Sequence, residues 1–232
     1  MKSTSSILIA AFVTVVPLVQ AQDTQLPVTK EEQQELTPDA VLAELVAGNA
    51  RFVAGKLTHT DVTARIAASA EGQYPKAVIL SCLDSRVPVE QVFDRGIGDL
   101  FVGRVAGNIE NDDQLGSMEF ATKLAGAKLV LVLGHSGCGA VKGACDGAEL
   151  GNLTALLAKI RPAVEAVEGF SLEERTSANE KFVAKVIEQN VRQTVSDIRK
   201  DSPVLANLEQ SGEIKIVGAV YNLQTGNVGF LH

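Results

Sequence analysis

The chain has 232 residues, 46% of them hydrophobic and 21% charged, with a formal net charge of −7. It is too apolar for disorder and long enough for one α/β domain with a sizeable core. The acidic balance and the lack of Lys/Arg runs argue against nucleic acid as a partner.

Lys2, the apolar run ILIAAFVTVVPLV at 7–19 and the small residues Val19 and Ala21 predict a signal peptide over 1–21, cleaved after Ala21. The run is short for a bilayer span, which needs roughly 20 apolar residues, so no membrane span is expected after processing. The expected location is exported, in a bacterial periplasm or secreted. Residues 22–36, QDTQLPVTKEEQQEL, are polar and predict a flexible arm, which leaves a single α/β domain over 37–232.

Thr37 followed by Pro38 predicts a helix start, with Val41, Leu42, Leu45, Val46, Phe52 and Val53 on one apolar face. A loop with a short helix is expected over 56–75. Short apolar runs then follow: KAVIL at 76–80, LFVGRV at 100–105, KLVLVLG at 128–134 and EIKIVGAVYN at 213–222. Their near-continuous apolarity matches strands covered on both faces, as in a parallel sheet. Helical patterns at 88–96, 112–125, 139–145 and 153 to about 210 separate them. In the last of these, Ser171 and Glu174 form a capping-box pair, and Phe182, Val183, Val186, Ile187, Val191, Val195 and Ile198 form an apolar stripe. NLQTGNVGFL predicts a closing hairpin with Thr225-Gly226 in the turn. The alternation predicts a mostly parallel central sheet, about four parallel strands plus an antiparallel edge strand, flanked by helices.

Two strand tips carry chemistry. CLDSR, at 82–86, follows the first run, and GHSGCGA, at 134–140, follows the third. Ligands in open α/β sheets sit beyond the carboxyl ends of the strands. If these two strands are neighbours, Cys82 joins His135 and Cys138 in a Cys₂His set. Three protein ligands with one open position is the pattern of a catalytic zinc site, and two thiolates with an imidazole favour zinc over magnesium or calcium. Other readings stand beside it. In an oxidising compartment Cys82 and Cys138 could form a disulfide, leaving Cys145 free. The Cys–His proximity could also mark a thiol nucleophile, though that leaves Cys82, Asp84 and Arg86 idle. The glycine spacing at 134–139 matches neither the dinucleotide fingerprint nor a phosphate loop.

The sequence resembles the β-class carbonic anhydrases. CLDSR corresponds to the family's C-x-D-S-R and HSGC to its H-x-x-C, and GQYPKA, GDLFVGRVAGN and SMEFA also match, so the resemblance covers most of residues 37–231. It implies one Zn2+ per chain on Cys82, His135 and Cys138, with Asp84 and Arg86 as the catalytic dyad. The reaction implied is the reversible hydration of CO2 to bicarbonate and a proton by a metal-bound hydroxide. Asp84 would orient that hydroxide while Arg86 holds Asp84; in the family, an aspartate that swings onto zinc defines an inactive state favoured at lower pH. Gln73 and Phe101 match substrate-binding positions. Phe120, where some members have Tyr, and Val105 fit pocket lining and plain core equally well. Ile79 replaces the Trp of a regulatory bicarbonate site found in one subclass, so that site is expected to be missing. The resemblance also implies a homodimer or dimer of dimers with active sites near the interface. Cys145 is expected to be a buried small residue, and no histidine is assigned as a proton shuttle. Three further functions compete: a CS2/COS hydrolase on the same scaffold, a non-catalytic zinc-binding protein, and a redox protein using Cys82 and Cys138.

Overall fold

The computed structural model describes residues 25–231; the expected signal peptide at 1–21 lies outside them. Five strands form one sheet: β1 (Ala77–Ser81), β2 (Leu100–Arg104), β3 (Leu129–His135), β4 (Lys215–Tyr221) and β5 (Val228–Leu231). Their order is β2-β1-β3-β4-β5, parallel throughout except for the antiparallel β4–β5 pair. β1 and β3 are buried along their whole length, and they lie side by side with Ser81 opposite Leu133. From β1 the chain steps outward to β2, then crosses back to lay down β3 and β4 on the other side. The winding therefore reverses between β1 and β3, which is where such sheets open a crevice at their carboxyl ends.

The described helices are α1 (Lys30–Glu35), α2 (Pro38–Val53), α3 (Val62–Ser69), α4 (Val89–Val92), α5 (Asp112–Glu119), α6 (Gly139–Cys145), α7 (Gly151–Ala166), α8 (Glu180–Asp201) and α9 (Pro203–Gln210). One face of the sheet packs on α2 and α4 through Val41, Leu45, Val89 and Phe93. The other packs on α5, α8 and α9 through Leu115, Met118, Val195, Ile198 and Leu205. A third cluster lies beyond the carboxyl end of the sheet, where α6, α7 and the first half of α8 enclose Cys82 and Cys138.

Several expectations change. Residues 30–35, read as part of a flexible arm, form α1. Thr29 and Glu32 cap it reciprocally (2.7 and 3.2 Å), and Gln33 is buried because its amide donates to Pro75 O (2.7 Å) and Ala125 O (2.9 Å). Val46 and Val53 are exposed. Asn49 turns inward on that helix beside Val41 and Leu45, and its side chain bonds Val92 O, Gly226 O and the Val228 amide, tying α2 to the terminal hairpin. The Ser171–Glu174 pair caps only a 3₁₀ turn, Leu172–Glu174; α8 starts later, capped by Asn179. The helix expected at 88–96 shrinks to α4, and the one at 112–125 ends as a π-turn over Phe120–Leu124.

Val191 of α8 presses its two methyls onto the sheet where β3 and β4 carry glycines. A Cβ at Gly134 would lie 2.5 Å from Val191 Cγ2, and one at Gly218 would lie 2.6 Å from Cγ1. Because Val is stiff at χ1 in a helix, Gly134→Ala will destabilise the chain by about 1–3 kcal/mol through overpacking. Thermal melts will show a midpoint lower by several degrees, and Val191→Ala in the same background will recover part of it. Full stability in the single variant would refute this packing.

Candidate metal centre

Cys82 follows β1 directly, and His135 is the last residue of β3. Because β1 and β3 are parallel neighbours at the winding reversal, the two side chains arrive at one point. Cys138 reaches the same point as the N-cap of α6, on a turn anchored by Ser136, which bonds Tyr221 O (2.9 Å) and the Leu223 amide (3.0 Å). The ligand atoms of Cys82, His135 and Cys138 all lie within 4.8 Å of one another, and all three residues are buried.

Three observations fit a metal here. All three cysteines are free, and the Cys82 and Cys138 sulfurs stand 3.9 Å apart. A disulfide needs about 2.05 Å, whereas two sulfurs on a tetrahedral zinc with bonds of about 2.3 Å lie about 3.8 Å apart. His135 Nδ1 donates to Ser136 O (3.0 Å), which leaves Nε2 with a lone pair; that buried atom has no hydrogen-bond partner among the described residues. A buried acceptor without a donor is costly, and a fixed imidazole aimed this way is how proteins prepare a metal ligand. The sulfurs also need a cation. The hydrogen bond from Cys138 pulls the Cys82 pKa down, against burial and with help from the Asp84 and Gly107 amides. Cys138 is pushed up by its bond to Cys82 and by burial. The pair thus gives up one proton readily and the second with difficulty, until a dication takes both thiolates.

Beside the sulfurs, Asp84 is gripped by Arg86. Oδ1 accepts from the Arg86 amide and Nε, both at 2.9 Å, and Oδ2 accepts from Nη2 at 2.6 Å. This bidentate pair holds the Asp84 carboxyl well below the usual carboxylate range. Oδ2 also lies 3.8 Å from His135 Nε2, so the carboxylate borders the position a metal would take. Arg104, at the end of β2, donates from Nε to Cys82 O (2.9 Å) and from Nη2 to Asp84 O. One guanidinium thereby braces both functional residues of the loop. As a guanidinium at a strand end, Arg104 carries no local signal of this role.

The expected substrate residues do not gather around the three donors within one chain. Phe101 and Phe120 meet edge to face (6.2 Å, 72°) on a groove of about 640 Å³ that also involves Val78, Leu80, Gln114 and Met118 but none of the three donors. Phe120 is 51% exposed there. Val105 packs against both the sheet core and the cluster that holds Cys82 and Cys138. Gln73 is exposed and lines a separate cleft with Leu26, Pro27, Tyr74 and Gly98. Cys145 is half-buried rather than buried.

A doubly wound sheet carrying two thiols, an imidazole and an Arg-held carboxylate at its switch point defines a metal-site α/β protein. The family model described as carbonic anhydrase matches residues 77–228. A carbonic anhydrase of Mycolicibacterium smegmatis is 37% identical over 192 residues, covering 82% of this chain and 92% of the relative. The chain belongs to the carbonic anhydrase family, whose members are carbonate dehydratases. Among solved structures, a β-carbonic anhydrase of Aspergillus fumigatus aligns with a TM-score of 0.64 at 23% identity, covering 83% of this chain and 89% of that one. A tetrameric β-carbonic anhydrase of Sordaria macrospora gives 0.60 at 22% identity, covering 70% and 83%. The fold is that of the β class.

Proposed function

We propose that this chain catalyses the reversible hydration of CO2 to bicarbonate and a proton, with one Zn2+ held by Cys82, His135 and Cys138. The observation that carries this reading is the free lone pair of His135 Nε2 facing two sulfurs 3.9 Å apart, next to a carboxylate fixed by Arg86. When bound, the zinc supplies a Lewis acid that makes a coordinated water acidic near neutral pH. Asp84 accepts a hydrogen bond from the attacking water and fixes the direction of its lone pair. Because Arg86 keeps Asp84 ionised and engaged through both oxygens, Asp84 serves as an acceptor rather than a proton donor. CO2 is apolar, and Val105 is the proposed substrate residue that packs against the cluster holding Cys82 and Cys138.

Gln73, Phe101 and Phe120 are proposed to reach substrate across an interface with a second copy, in a homodimer or dimer of dimers. The free edge of β2, the exposed Phe120 and Leu124, and the tetrameric Sordaria neighbour support this. Export is proposed from Lys2 and the apolar run at 7–19; a mature chain beginning at Gln22 supports it, and an uncut N-terminus overturns it.

The test of function is stopped-flow CO2 hydration by the purified mature chain, with zinc measured on the same sample. One zinc per chain with fast hydration is expected. A zinc-loaded chain that leaves CO2 untouched but hydrolyses COS or CS2 would overturn the assignment, as would a chain that binds no zinc.

A further inference from the structure

Helix α8 carries one buried side-chain amide in the middle of its apolar stripe. Asn190 is 3% exposed, flanked on the inward face by Val186, Ile187, Val191 and Thr194. An amide in such a stripe is costly unless it is paired. Its Nδ2 donates to Gly107 O at 2.8 Å. Gly107 in turn donates its N–H to the Cys82 sulfur at 3.4 Å. The residue between them sits in the turn Ala106–Asn108 with φ 76 and ψ 12, a left-handed conformation natural to glycine. The turn is wedged from two further sides: a Cβ at Gly107 would fall 2.5 Å from Ile160 Cδ1 of α7 and 3.4 Å from Ala140 Cβ of α6. Three helices therefore fix one residue: Asn190 holds the peptide unit after its Cα, and the N–H of the unit before it is hydrogen-bonded to a sulfur.

We propose that Asn190 is a positioning residue for the metal centre: by holding the Gly107 carbonyl it aims the Gly107 N–H at the Cys82 sulfur. This rests on the reading of Cys82, His135 and Cys138 as metal ligands. A thiolate bound to a metal keeps negative charge, and Cys82 is 4% exposed among apolar neighbours. Together with the Asp84 amide, the Gly107 amide supplies the donors that such a sulfur needs in an apolar wall, and it helps to fix the sulfur lone pair that remains for the metal. Partners one shell out from a metal are commonly worth 10–100-fold in metal affinity. The position of Asn190 fits that role better than a plain packing role. A leucine would suit the apolar stripe without needing a partner, and the amide spends its donor on a turn that touches the ligand.

The test uses the full mature chain in which Asn190→Leu keeps the branched shape and removes the donor, and Asn190→Ser keeps a polar group but shortens its reach. Chelator competition gives zinc affinity, and cobalt(II) substitution gives the sulfur-to-cobalt charge-transfer band. Hydrogen exchange of the Gly107 amide gives a readout without any metal. Both variants should bind zinc about 10-fold more weakly. Their charge-transfer band should move to longer wavelength, because a sulfur relieved of its N–H partner donates more strongly, and the Gly107 amide should exchange faster. A folded variant with zinc affinity within twofold of the parent and an unmoved band overturns the proposal, whatever its thermal midpoint. A parent chain that shows no sulfur-to-cobalt band overturns the ligand reading itself, and the proposal with it.

Discussion

His135→Ala will leave the chain folded but without zinc, and will lower CO2 hydration by about 10³-fold. His135 is fully buried, and its Nε2 has no partner among the described protein groups, so its loss removes a ligand and leaves the fold's hydrogen bonds nearly intact. The single bond given up is Nδ1 to Ser136 O, and Ser136 stays anchored through its own amide and hydroxyl to β4 and the loop after it. Metal Lewis acidity contributes several kcal/mol to reactions of this kind; at about 1.4 kcal/mol per tenfold, losing it costs about three decades. Zinc analysis and stopped-flow hydration on one sample check both halves of the expectation. Cys145→Ser is the control. Burial pushes that thiol up to about 11, so it is neutral at working pH, and it lies outside the donor cluster. Zinc and activity should survive its replacement. Full zinc occupancy in His135→Ala, or its loss in Cys145→Ser, would reassign the ligands.

What could be read in the sequence follows from how local each signal is. Apolar runs of strand length, bounded by turns, gave β1 to β4, because a strand covered on both faces needs little beyond its own side chains to be recognised. The convergence of Cys82 with His135 and Cys138 needed one further fact, that β1 and β3 are neighbours, and the resemblance to the β-class motifs supplied it. Features that depend on a partner far along the chain were out of reach. The polar stretch at 30–35 looks mobile until Gln33 meets carbonyls at Pro75 and Ala125. Val46 and Val53 continue the helical spacing of α2, yet the inward face turns to Asn49 because the terminal hairpin brings Gly226 and Val228 to it. Asn190 did leave a trace: it is a polar residue inside the stripe running from Phe182 to Ile198. Such an interruption says that a buried partner exists, but only the folded chain names it as Gly107. Arg104 is the same case, since a guanidinium at a strand end does not announce which carbonyls it will clasp.

Arg86→Ala will lower hydration at pH 7 by about 10²-fold, in the range seen when one preorganised hydrogen-bond donor is removed. Protonation of Asp84 is not the cause. The Arg86 guanidinium depresses the Asp84 pKa, so removing it lets that pKa rise toward the ordinary value of about 3.9. The carboxylate therefore stays ionised at pH 6–8 with or without Arg86. What changes is its freedom. Oδ2 rests 3.8 Å from His135 Nε2 while Nη2 of Arg86 holds it at 2.6 Å. Released, a negative oxygen that close to the donor cluster would compete for the position left open on a metal held by Cys82, His135 and Cys138. The variant should thus lose activity while keeping its metal, the reverse of the pattern for His135→Ala. Its thermal midpoint should stay near that of the parent, because the guanidinium is 60% exposed and surface ion pairs contribute little to stability. Adding Asp84→Ala tests the cause directly. If the freed carboxylate blocks the metal, the double variant hydrates CO2 at least as fast as Arg86→Ala alone, a coupling that independent losses would not produce. Losses that simply multiply would mean that Arg86 acts on substrate by itself and that the grip on Asp84 is incidental.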